Sequence, residues 1–144
     1  KMHHPKTDAP IETTTILHDR TKGEIFLVKT LGLDTIQQKK LEAIQTAHFS
    51  FLDKNMSAYI RNQNNLFDAL KNNNDTAYVA RCADSLGMFK VAMEKELYTN
   101  FAAIKAICTS DQQKKFNDLI DNMSKEFLHH HDFHNSGKTS QDSL

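Results

Sequence analysis

Tryptophan is absent from this 144-residue chain, which has only four glycines, two prolines and two cysteines. So few breakers, beside abundant Lys, Asp, Asn, Gln and Ala, disfavour a sheet-rich fold and lead to the expectation of a single all-α domain. Charge of one sign is also missing. Eighteen Lys and Arg balance eighteen Asp and Glu, with a pI of about 7.2, so no overall field attracts nucleic acid or an anionic membrane. No apolar run approaches the roughly 20 residues needed to cross a bilayer. Phosphate loops, glycine-flanked serines and paired-carboxylate phrases do not occur, so no enzyme is expected. Glu126-Phe127-Leu128-His129 is a Glu-x-x-His unit, but a di-iron bundle needs that unit on two helices and the chain has no second copy.

What the chain does contain is one phrase written twice: Leu33-Asp34-Thr35-Ile36-Gln37-Gln38-Lys39-Lys40-Leu41 and Cys108-Thr109-Ser110-Asp111-Gln112-Gln113-Lys114-Lys115-Phe116. Each reads as a helix start. Asp34 and Thr109 are placed to accept from backbone N–H groups of the first turn, with Gln37 and Gln112 three residues on to reach back in a capping box.

Around these phrases the chain divides into segments. Residues 1–11 hold both prolines and no periodicity, and read as an extended tether. A first helix is expected from about Glu12 to Thr30, with Gly23 weakening its middle and Gly32 stopping it. From Asp34 to about Asn72, apolar residues recur at three- and four-residue steps without Gly or Pro, predicting one long helix. A heptad through Leu41, Ile44, His48, Phe51, Asn55, Ala58 and Asn62 makes its seam partly polar, the kind of seam that specifies register. Asn72-Asn73-Asn74-Asp75 is the natural reversal into a third helix running to about Ile107, antiparallel to the second. Its apolar stripe rotates between Val79–Met93 and Leu97–Cys108, which invites a second chain. Cys82 and Cys108 fall on this predicted helix, roughly 39 Å apart at 1.5 Å per residue, too far to bridge each other. They read as small apolar residues, or less often as thiols pairing between chains or holding metal. A fourth helix follows the second phrase through Phe127, and residues 135–144 read as a disordered tail. The folded domain is thus expected over 12–134. Met56, Met88, Met93 and Met123 sit at core spacing and read as packing residues. Residue 1 is Lys rather than an initiator Met, which reads as a mature or excised form.

A helical domain with a Leu-Thr-x-x-Gln-like phrase opening two of its helices resembles the periplasmic heavy-metal sensor and resistance family, which includes Spy and CpxP. Here the phrases stand with Asp34 in place of Thr and Cys108 in place of Leu. The resemblance covers about residues 16 to 128. It implies a hooked four-helix hairpin with two long antiparallel central helices, a homodimer through those helices, periplasmic residence and often an N-terminal membrane anchor. Members similar to the nickel and cobalt sensor CnrX bind metal with histidines, a carboxylate and a methionine. Aligned on the phrases, those places carry Glu24, Val28, Gln45, Asn100 and Ile104. Of these only Glu24 has a side chain of the kind that binds metal strongly, so that sensor site is not expected here.

Metal chemistry is better sought among the eight histidines. His3 and His4 lie in the tether, His18 on the first helix, and His48 on the seam, where it reads as a hydrogen-bonded core or interface residue. The terminal cluster holds His129, His130, His131 and His134. If the last helix continues, Glu126, His130 and His134 share one face at four-residue steps, a spacing that can converge on a Zn, Ni, Co or Cu ion. His129 and His131 then point elsewhere. The competing reading is a solvated polar helix end whose histidines complement the macrodipole. The resulting expectation is a periplasmic metal-response protein, acting as a homodimer with a regulatory membrane protein. The alternative is a Spy-like, ATP-independent chaperone of unfolded client proteins.

Overall fold

The computed structural model describes residues 12–72 and 76–136, the side chains of 130–136 excepted. The expected tether, most of the reversal and the end of the tail lie outside these residues. The described residues form five helices and no strand: α1 (Thr13–His18), α2 (Arg20–Leu31), α3 (Thr35–Lys71), α4 (Thr76–Ala106) and α5 (Ser110–Ser136). They group into two compact units, one within Thr35–Ile107 and the other from the flanking residues 12–34 with 108–136.

The expected first helix is two helices, because Asp19 adopts an extended conformation between them. Its carboxylate accepts the Lys22 N–H at 2.8 Å and so caps α2. Gly23 lies in the first turns of α2 and serves contact between the two pieces. A Cβ there would stand 3.1 Å from the Ile16 carbonyl oxygen and 3.3 Å from Leu17 Cα, so the missing side chain lets the α1 backbone pass close. Gly32 ends α2 as expected. It is left-handed (φ 68°, ψ 46°) and returns its N–H to the Val28 carbonyl. Leu27, Leu31, Leu33, Phe116 and Leu119 are the buried apolar residues of this unit.

The second phrase forms its box: the Gln112 N–H reaches Thr109 Oγ1 at 3.3 Å, and Gln112 Oε1 accepts the Thr109 N–H at 2.9 Å. The same Gln112 donates its Nε2–H to the Gly32 carbonyl at 2.9 Å. Gln37, its counterpart in the first phrase, donates Nε2–H to the Ile107 carbonyl at 2.8 Å. Each glutamine therefore closes the chain position just before the other phrase. Cys108, expected inside the third helix, instead lies two residues past the end of α4, where the second phrase begins.

In the other unit α3 and α4 pack against each other and run antiparallel, each step forward on one matched by a step back on the other, as Gln37 with Ile107, Gln45 with Asn100 and His48 with Glu96 show. Buried apolar residues here are few: Leu41, Ala69, Cys82 and Ile104. Tyr59 and Phe89 add a tilted ring contact, centroids 4.6 Å apart.

Candidate functional site

The seam between α3 and α4 carries two polar pairs that cross it. Asn100 Nδ2–H donates to Gln45 Oε1 at 2.9 Å, and the pair is buried, 6 % and 3 % exposed. One helical turn along, His48 Nδ1–H donates to Glu96 Oε1 at 3.1 Å. The next residues on that face differ from the sequence expectation. Asn55 and Asn62 bond the carbonyls of Phe51 and Ala58, one turn back on their own helix, so the cross-helix pairs that fix register are Gln45–Asn100 and His48–Glu96. Ile104, one turn from Asn100, is fully buried, and so is Leu41, one turn before Gln45 on α3. Gln45 and Asn100 thus meet as a neutral amide pair, the oxygen of one accepting the N–H of the other. Glu24 is half-buried in α2.

Glu126, the first residue of the candidate metal set, is in use. Its Oε1 accepts the Thr13 N–H at 3.1 Å, and its Oε2 accepts the Thr14 N–H at 3.3 Å and Thr14 Oγ1–H at 2.8 Å. A carboxylate from α5 therefore supplies the N-terminal cap of α1, whose own preceding residue Glu12 makes no side-chain cap bond. Desolvation pushes this carboxyl upward, but the Thr14 hydroxyl and the two backbone donors outweigh it and leave its pKa lowered. On α1, His18 Nδ1 lies 2.6 Å from the Thr14 carbonyl and donates to it.

His129 is exposed near the end of the described side chains. The side chains of His130, His131 and His134 lie outside the described residues, although α5 itself runs through them to Ser136. Among the described residues no three His, Cys, Asp or Glu side chains group as a metal site. Helix geometry also sorts the set. Four residues rise about 6 Å and eight about 12 Å, so Glu126 and His134 stand two turns apart, whereas His130 neighbours each of them. An i, i+4 pair chelates one ion, and imidazole nitrogen suits Zn²⁺, Ni²⁺, Co²⁺ and Cu²⁺. Glu126 already binds α1.

Both cysteines are free thiols. Cys82 is buried, and partial burial pushes the Cys108 thiol upward, away from the reactive thiolate. The methionines do not all pack. Met88 is 74 % exposed and Met56 43 %, while Met93 and Met123 are half-buried. Met88 belongs to a stripe with Val91 and Tyr98 on the side of α4 turned away from α3, and α3 carries its own exposed Ile60, Phe67 and Leu70. Sequence periodicity gives no signal that Val91, Tyr98, Ile60 and Phe67 are exposed. No helix among the described residues is long and apolar enough to cross a membrane. No family profile, characterised protein or solved structure matches the chain.

Proposed function

We propose that this chain is a periplasmic protein of heavy-metal sensing or resistance, a hooked helical hairpin that works as a homodimer and takes a divalent ion on the C-terminal turns of α5. The observation that carries this reading is the unbroken course of α5 to Ser136. It keeps His130 and His134 at helical four-residue spacing, one and two turns beyond Glu126. Two neutral imidazoles on adjacent turns form a chelate that suits borderline metals, and the bound ion would stiffen the helix end. A regulatory membrane protein would then read the dimer. Calorimetric titration of the chain with Zn²⁺, Ni²⁺, Co²⁺ and Cu²⁺ tests the site. Binding near the micromolar range, about −8 kcal/mol, is expected for at least one ion. It should weaken more than tenfold in the doubly substituted His130→Ala, His134→Ala chain. Affinity no better than about 1 mM, or affinity indifferent to that substitution, would exclude this function.

A second reading rests on a different observation. Ile60, Phe67 and Leu70 form an exposed apolar stripe on α3, of the kind that holds unfolded clients without ATP. Under it the protein is a Spy-like chaperone. Suppression of aggregation of an unfolded client at equimolar chain, lost on Phe67→Ser with Leu70→Ser, is the expected result. An unchanged aggregation rate would remove that reading.

A further inference from the structure

The outward face of α4 carries a pattern that complements itself. Stepping three and four residues along the side away from α3, it presents Arg81, Asp84, Met88, Val91, Lys95 and Tyr98, all exposed. This is the repeat of a two-helix seam, about 26 Å long at 1.5 Å per residue. Laid against a second copy of itself running the opposite way, with the two-fold axis between Met88 and Val91, each residue meets a different one. Met88 faces the second copy's Val91, Asp84 faces its Lys95, and Arg81 faces its Tyr98. One turn farther out, Ala77 and Ala102 face each other, small residues that let the helix ends approach.

Charge decides the direction. Parallel pairing sets Arg81 on Arg81, Asp84 on Asp84 and Lys95 on Lys95, three like-charge layers, each unfavourable. Antiparallel pairing turns Asp84 and Lys95 into two symmetry-related ion pairs flanking an apolar centre, and puts a guanidinium over a tyrosine ring at each end. Arg81 already shows that ring preference, its guanidinium lying 5.8 Å from the Tyr78 ring centre. Neither Asp84 nor Lys95 has an ion-pair partner among the described residues; the salt bridge on this helix joins Lys90 and Glu94 instead. The need for cover is also visible, since Met88 and Tyr98 are each about three-quarters exposed (74 % and 76 %) on a unit with only four buried apolar residues.

We infer that the second copy docks on this face, α4 against α4 in antiparallel register, with Asp84 and Lys95 setting the register. The inference rests on the dimeric part of the proposed function and specifies its interface. Self-association of the full chain by sedimentation equilibrium in low salt tests it, with circular dichroism confirming that each variant stays helical. Because the two-fold axis doubles every change, Asp84→Lys alone or Lys95→Asp alone should raise the dimer dissociation constant about tenfold to thirtyfold. The double exchange, Asp84→Lys with Lys95→Asp, should return it to within about threefold of the original. A dimer indifferent to the single exchanges, or not rescued by the double one, would leave the dimeric reading standing and overturn this interface. A chain that stays monomeric at about millimolar concentration would overturn both.

Discussion

Replacing Glu126 by Ala should free α1 from α5 while leaving the rest of the chain folded. Three donors converge on the Glu126 carboxylate, two of them N–H groups at the start of α1. Hydrogen bonds to a charged group contribute about 1.5–3 kcal/mol each when well buried. This carboxylate is half-exposed, so the appropriate scale is that of a helix cap, about 0.5–2 kcal/mol in total. α1 has no fully buried residue to hold it by other means. Its other anchors are the close backbone pass at Gly23 and the half-buried Ile16 and Leu17. Loss of the cap therefore weakens the docking of α1, and amide hydrogen exchange over Ile16 and Leu17 should quicken about tenfold, as about 1.4 kcal/mol implies. Exchange in α3 and α4 should not move. Glu126→Gln, which keeps one acceptor oxygen and loses the charge, should fall between the two. Acid should act in the same direction. The folded pKa of Glu126 is lowered, so its stabilisation is complete above the ordinary carboxylate range of about 4.3 and is lost as pH falls through the lowered value. Exchange corrected for intrinsic rates should thus be flat from pH 7 to 5 and rise only below about pH 4. Equal α1 protection in the original chain and in Glu126→Ala would refute the reasoning outright.

Other expectations follow from the same geometry. Asn100→Leu alone strands a buried Gln45 amide and should cost about 1–3 kcal/mol in urea unfolding, whereas Gln45→Leu with Asn100→Leu removes both polar partners and should recover most of that loss. Gly87 is helical, and a methyl added there would meet nothing within 4 Å, so Gly87→Ala should stabilise by about 0.5–1 kcal/mol, raising Tm by about 2–4 °C. Gly23→Ala should instead loosen α1, since its methyl meets the Ile16 carbonyl, and exchange over α1 separates the two glycines. For metal, Glu126→Gln should leave affinity within about threefold, whereas His130→Ala should cost at least tenfold; the reverse order in calorimetry would place the ion on the carboxylate.

The helix pattern was largely legible because it is written in local chemistry. The two repeated phrases mark the starts of α3 and α5, Gly32 the stop of α2, and the Asn-rich reversal the break between α3 and α4. What escaped was decided by contact. Asp19 reads as an ordinary polar helix residue until its carboxylate is seen on the Lys22 N–H, and Gly23 reads as a weak point until the α1 backbone is seen beside it. Asn55 and Asn62 carry the right heptad positions for cross-helix bonds, yet their short side chains reach their own i−4 carbonyls first. The longer Gln45 and His48 span the seam instead. The competition of α1 for Glu126 left no sequence signal, since the partners lie more than a hundred residues apart.

The twin glutamines have a consequence for size. Gln37 fastens the base of the α3–α4 hairpin at Ile107, and Gln112 fastens the end of α2 at Gly32. Neither bond involves the reversal beyond Asn72. Matched insertions of seven residues, one into the far half of α3 and one into the near half of α4, would move the tip outward by about 10 Å and leave both fastenings untouched. The reach of the hairpin is thereby separable from its footing, and arm length becomes a quantity that can be dialled without redesigning the base.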